Sequence, residues 1–247
     1  MRIHGWSEQG AGIMVQAEWD CCMAQPFEWA QVLRRLREWP VLLLALFVLI
    51  WLALGYAPKY RDDWMLENAL VVAFVPLLVW GYQRVRFSNL AYTAVFVFLV
   101  LHVLGSHYTY AEVPYDQWSR DWLGFSIDTA LGFERNHYDR LVHLLFGILL
   151  APLTLELVNL KIDATARWRI AIAVSLLLSC SALYELIEWA AAMVFGGDLG
   201  MAYLGTQGDV WDSHKDTALA LLGALVSASL IGWSRPRFAA RRVVGKA

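Results

Sequence analysis

Three short patterns in this 247-residue chain pair groups that hold metals or move protons. Asp139 and His143 stand four residues apart, Glu185 and Glu188 three apart, and Asp212 and Asp216 four apart with Asp209 one turn earlier. Residues three or four apart share one face of a helix, so each pair would aim at a single point. Imidazole together with carboxylate suits zinc, manganese or iron, whereas oxygen ligands alone suit calcium or magnesium. His102 and His107 are five apart, so a regular helix would not point both the same way. His102 lies deeper in its apolar run and is the better ligand candidate. Arg140 and Lys215 stand among the acids, and His214 falls nearly opposite Asp212 on a helical wheel.

The elements that must position these groups are membrane helices. The chain is 59% hydrophobic and only 17% charged, too little polar surface for an ordinary soluble domain of this length. About 20 residues of helix cross the hydrocarbon core. Six apolar stretches qualify, at roughly 40–57, 65–82, 90–107, 138–158, 168–195 and 216–233. Thirteen Trp and ten Tyr suit interfacial belts at the span ends. The organisation expected is a segment 1–39, a six-span domain 40–233 and a basic tail 234–247. No compact apolar region precedes the first span, so no cleavable signal peptide is expected. With net charge −2, nucleic acid is not an expected partner, and three scattered Cys make neither a disulfide framework nor a zinc knuckle.

Basic residues orient the bundle. Fourteen of the 20 Lys and Arg fall before span one, between spans two and three, between four and five, or after span six. Both termini are therefore expected to be cytoplasmic. On the outer side, 108–136 forms a long loop in which Tyr115, Trp118, Trp122 and Phe125 follow helical spacing. A short interfacial helix is expected there, between spans three and four. The segment 196–208 is Gly-rich.

This orientation brings ionisable groups of five spans to the outer face at similar depth. Glu67, Asp139, Glu185, Glu188, Asp209, Asp212 and Asp216 outnumber Arg140 and Lys215 by five charges. Carboxylates buried without partners are costly, so they protonate, stay in water or bind a cation. Plainer roles compete at single positions. Asp209 suits a helix N-cap, Glu67 a helix end, Lys215 a simple ion pair, and His102 a hydrogen bond to a neighbouring helix. His143 and Glu185 sit well inside apolar runs, where ionisable groups default to function.

Four blocks carry a resemblance: "SHYTYAEVPYDQW" (106–118), "GFERNHYDRLVHLLFG" (132–147), "YELIEW" (184–189) and "GTQGDVWDSHKD" (205–216). They resemble the YjdF-like inner-membrane family of bacteria. The resemblance implies a multi-pass protein of the bacterial inner membrane and carries no activity across.

The expected protein is thus an all-α, six-span bundle with a metal site at its outer mouth. Hydrolysis or transfer on a lipid-linked or periplasmic substrate is the leading use of such a site. A divalent zinc, manganese or iron ion would be held by His102, Asp139, His143, Glu185 and Glu188. An acid among Asp209, Asp212 and Asp216 would act as base, and Arg140 and Lys215 would hold an anionic head group. Membrane lipid is the expected partner, and no oligomeric state follows. A proton or cation relay and a non-catalytic scaffold are the competing readings. A path continuing to the cytoplasm would favour the relay, and acids scattered in water the scaffold.

Overall fold

A computed structural model describes residues 38–234 and 241–242. The expectations for the N-terminal segment, and for most of the C-terminal tail, fall outside those residues. Six helices are long and apolar enough to cross a membrane: α1 (Trp39–Tyr56), α2 (Arg61–Tyr82), α3 (Asn89–Tyr108), α6 (Tyr138–Lys161), α7 (Ala166–Phe195) and α9 (Asp212–Ser234). Three short helices join them at one end: α4 (Tyr115–Leu123), α5 (Ile127–Leu131) and α8 (Gly197–Leu204). The six expected spans are all present. α2 and α9 each begin four residues before the expected span, because hydropathy misses a polar first turn. Asp62 and Asp63 open α2 and Asp212 opens α9, where the helix N-terminus favours negative charge.

The packing centres on α6, which lies against α3, α7 and α9. The α6–α9 crossing is the closest. A Cβ on Gly147 would strike the backbone of Ala220, and one on Gly223 would strike the carbonyl of Leu144. Ala220, Ala224 and Ala228 continue this buried seam along α9. Small residues at such spacing let two backbones approach where lipid gives no hydrophobic drive. The crossing also places the site, since His143 stands one turn from Gly147 and Asp216 one turn from Ala220. α1 packs on α3, whereas α2 touches α3 more lightly and does not pack closely on α7.

Val85–Arg86 (β1) pairs antiparallel with Arg241–Arg242 (β2), so the α2–α3 connection meets the C-terminal tail at the end opposite the short helices. That end carries Arg84, Arg86, Lys161, Arg167 and Arg169. The expected loop helix is present as α4. Its Tyr115 and Trp118 pack against the core, while Trp122 is exposed. Phe125 lies beyond the helix, because Gly124 ends it in the left-handed region (φ 78°). The Gly-rich segment holds α8, a helix that its composition does not announce. Gly196 and Gly197 (φ 61° and 53°) reverse the chain after α7 so that α8 folds back against α7 and α2.

Candidate functional site

The ionisable residues at the short-helix end form two tiers. In the upper tier, Arg135 grips Asp212 with both guanidinium branches, Nη1–Oδ1 at 2.8 Å and Nη2–Oδ2 at 3.2 Å. Arg140 Nη2 lies 3.1 Å from Asp212 Oδ1 and also pairs with Asp209. Lys215 Nζ donates to Asp209 Oδ2 at 2.6 Å. Asp209 accepts from the Trp211 amide at 3.0 Å, so it also caps the turn before α9. Lys215 and that amide hold the Asp209 carboxyl well below the usual range. His137, just before α6, is pushed down by burial and by Arg140 and Arg135. Three cations therefore neutralise two acids here, and the tier ties the start of α6 to the start of α9.

The lower tier lies one turn deeper. Asp139, His143 and Asp216 each offer one ligand atom, and those atoms lie within 4.8 Å of one another. His143 Nε2 is 3.6 Å from Asp139 Oδ1 and 3.4 Å from Glu185 Oε1. Asp216 is 2% exposed, yet its Oδ1 has no hydrogen-bond partner, and Glu185 Oε1 has none either. No Lys or Arg forms an ion pair with this tier among the described residues. The separations are too long for hydrogen bonds. The two His143 separations fall near the roughly 3.3–3.6 Å that bonds of about 2.0–2.2 Å set between donors of a tetrahedral site, and the wider Asp139, His143 and Asp216 group stays within 4.8 Å.

His102 belongs to a different network, which corrects its grouping with the metal ligands. It is buried, with Nε2 3.2 Å from the Glu67 carbonyl oxygen and Nδ1 bonded to the Tyr110 hydroxyl. Both ring nitrogens are thus occupied. Thr109 takes the left-handed conformation (φ 54°) and turns the chain so that the Tyr110 ring lies on Gly105. Glu67 is not a helix-end residue, because α2 starts six residues before it; it is buried and accepts from the Tyr184 hydroxyl at 3.1 Å. His107 reaches the Leu54 carbonyl instead, Nδ1 to O at 2.8 Å. His214 is exposed and lies edge-on to Trp211, as the helical wheel required.

Both networks open into a cavity of about 450 Å³. Glu67, His102, Asp139, His143, Tyr184 and Glu188 line its head, and its lower walls are mainly Leu and Phe side chains of α2, α3, α6 and α7, with Thr154, Cys180 and Ser181 among them.

The family described as "Predicted membrane protein (DUF2238)" matches residues 39–237. The "Inner membrane protein YjdF" of Escherichia coli (strain K12) is 36% identical over 180 residues, which is 72% of this chain and 82% of that protein. The chain belongs to this family. No solved structure matches it. This DUF2238 member is a multi-pass protein of the inner membrane, as the four sequence blocks implied.

Within it, Arg135, Tyr110 and Tyr184 hold positions that spacing arguments passed over. Arg135 precedes α6 and reaches Asp212 across 77 residues, which no local pattern reveals. Glu156 was also missed. It is fully buried near the basic end and accepts from the Ser88 amide at 2.8 Å and from the Ser88 hydroxyl, at the start of α3. A lone acid inside an apolar run signals a partner without saying which one.

Proposed function

We propose that this protein is a metal-dependent hydrolase or transferase acting at the outer face of the membrane, with Asp139, His143 and Asp216 as metal ligands and Glu185 beside them. The observation that carries the reading is buried Asp216, whose Oδ1 has no partner and whose carboxylate offers an atom within 4.8 Å of ligand atoms of His143 and Asp139. A buried carboxylate without a cation or donor is costly, and a divalent ion relieves that cost. One imidazole with carboxylates suits zinc, manganese or iron. Such an ion acidifies bound water and polarises a phosphoryl or carbonyl oxygen. Glu188 lines the cavity head beside the ligands and is placed to accept a proton from water. Asp209 and Asp212 are committed to arginine and lysine. They position α6 and α9 rather than acting as bases, and Arg140 and Lys215 are spent in the same contacts.

The shape of the cavity supports an enzyme over a relay. Below Ser181 the walls are Leu and Phe apart from Cys180 and from Thr154, whose hydroxyl donates to the Leu150 carbonyl at 2.9 Å. No chain of ionisable groups lines that lower half. The basic connections then face the cytoplasm and the two tiers the periplasm. Metal analysis tests the reading on protein purified in detergent without chelator. Wild type is expected to hold one divalent ion per chain, and Asp216→Asn and His143→Gln to lose it. A metal-free wild type that stays metal-free on adding zinc, manganese or iron would sink the proposal.

A further inference from the structure

We infer that the cavity takes one hydrocarbon tail of a membrane lipid, which enters sideways from the bilayer between α2 and α7. Four features carry this. First, α2 and α7 wall the cavity without packing closely on each other; Tyr184 bonds Glu67 across its head. Second, Leu157, Leu176, Leu183 and Ile187 line the cavity and are also exposed on the bundle surface, so the cavity is open at its side. That side lies within the spans, where the solvent is lipid. Third, α8 packs on both α7 and α2 and places Tyr203 in the lining, which roofs the head and leaves the flank as the way in. Gly200 permits this roof, since a Cβ there would meet the Ala192 carbonyl of α7 at 2.8 Å. Fourth, the dimensions fit. Glu188 to Leu176 is about 18 Å along α7, close to one leaflet's share, roughly 15 Å, of the hydrocarbon core. The volume falls in the range of about 300–1,000 Å³ typical of ligand sites.

The head chemistry follows from charge. The cavity lining contains Glu67, Asp139 and Glu188 but neither Lys nor Arg. An anionic head would meet like charge there unless a cation stood at Asp139 and His143. The substrate class is therefore a lipid whose ester or phosphoester oxygen ligates that cation while its tail fills the cleft. The head placement rests on the metal-centred reading above, whereas the tail placement does not.

The probe is a phosphatidylethanolamine with a diazirine in one acyl tail, titrated into delipidated protein in detergent micelles, photolysed and mapped by mass spectrometry. Labelling of the α2 and α7 walls around Leu70, Leu183 and Ile187 is expected to saturate. Labelling of the outward face of α1 at Leu46, Leu49 and Leu52 is expected to rise linearly. Ser181→Phe fills the cleft from within, and Leu183→Trp blocks its flank at a site already 57% exposed, where folding is not at stake. Either change is expected to cut saturable labelling about tenfold, the loss from leaving roughly two methylenes unburied. Linear labelling of the cleft walls in wild type, or saturable labelling untouched by Leu183→Trp, overturns the inference. Saturable labelling of a chain that binds no metal would keep the cleft and remove the metal reading. A metal-loaded chain with only linear labelling would do the reverse.

Discussion

Asp212 and Asp216 stand one turn apart on α9 and are almost equally buried, at 3% and 2% exposed, yet they have opposite surroundings. Asp212 meets two guanidinium groups. Asp216 faces an imidazole and another carboxylate, with one oxygen unpartnered. Burial and spacing are therefore poor guides to which acid is functional, and neutralisation is the better one. An acid matched by fixed cations is part of the scaffold. An acid left over inside the same bundle must be neutralised some other way, by a proton or by a cation from outside the chain.

Removing a cation from the matched tier should produce the largest effect. Arg135→Ala leaves the buried Asp212 with Arg140 alone and is expected to cost about 3 kcal/mol, the low end for breaking a buried pair. Unfolding midpoints in detergent would register it. Metal content per folded chain should not change. A variant that kept its midpoint and lost its metal would exchange the roles of the two tiers.

The next effect belongs to the unmatched tier. A divalent ion at 100 times its Kd should stabilise wild type by about 2.7 kcal/mol through linkage. Asp216→Asn should abolish that response with little loss of basal stability, because it removes surplus negative charge. The comparison breaks if the ion raises the midpoint of Asp216→Asn as much as that of wild type.

The tiers also differ in acid. The Asp209 carboxyl is held below its ordinary range by Lys215 and the Trp211 amide. A group with a depressed folded pKa contributes stability above its unfolded value, near pH 3.9, and loses it as pH falls toward the folded value. Below about pH 4 the wild-type midpoint should fall, and that of Asp209→Asn should fall less over the same window. Parallel curves for the two proteins would remove Asp209 from the structural tier.

Much of this was legible beforehand. Lipid restricts a chain of this composition to helices, so six apolar runs are enough to set the bundle. Helical spacing brought Asp139 and His143 together on one helix, whereas Asp212 and Asp216, expected to aim at one point, meet different partners. What stayed hidden depended on contacts between helices. Arg135 lies in a loop and finds Asp212 only after the chain has folded. His102 looked like a ligand because its Tyr110 partner comes back over Gly105 through a left-handed turn. The roof helix α8 was masked by its own glycines, which lower helix propensity but here stand at its ends and at a close crossing.

The smallest effect expected sharpens the comparison most. His214 lies between Asp212 and Asp216 in sequence and is a better metal ligand by type than either. A helix advances about 100° per residue, so two steps from Asp212 carry His214 most of the way round α9. It is exposed there and rests edge-on against Trp211, with centroids 5.4 Å apart. His214→Gln should therefore shift stability by no more than about 0.5 kcal/mol and leave metal content unchanged. Its neighbour Asp216→Asn should remove the metal. The two positions lie two residues apart on one helix, His214 exposed and Asp216 buried. A difference in metal content per folded chain, read beside the unfolding midpoints, reports which face of α9 meets the site. Metal lost from His214→Gln and kept in Asp216→Asn would mean that α9 presents its other face to the site, and the unmatched tier would then have no role in binding a cation.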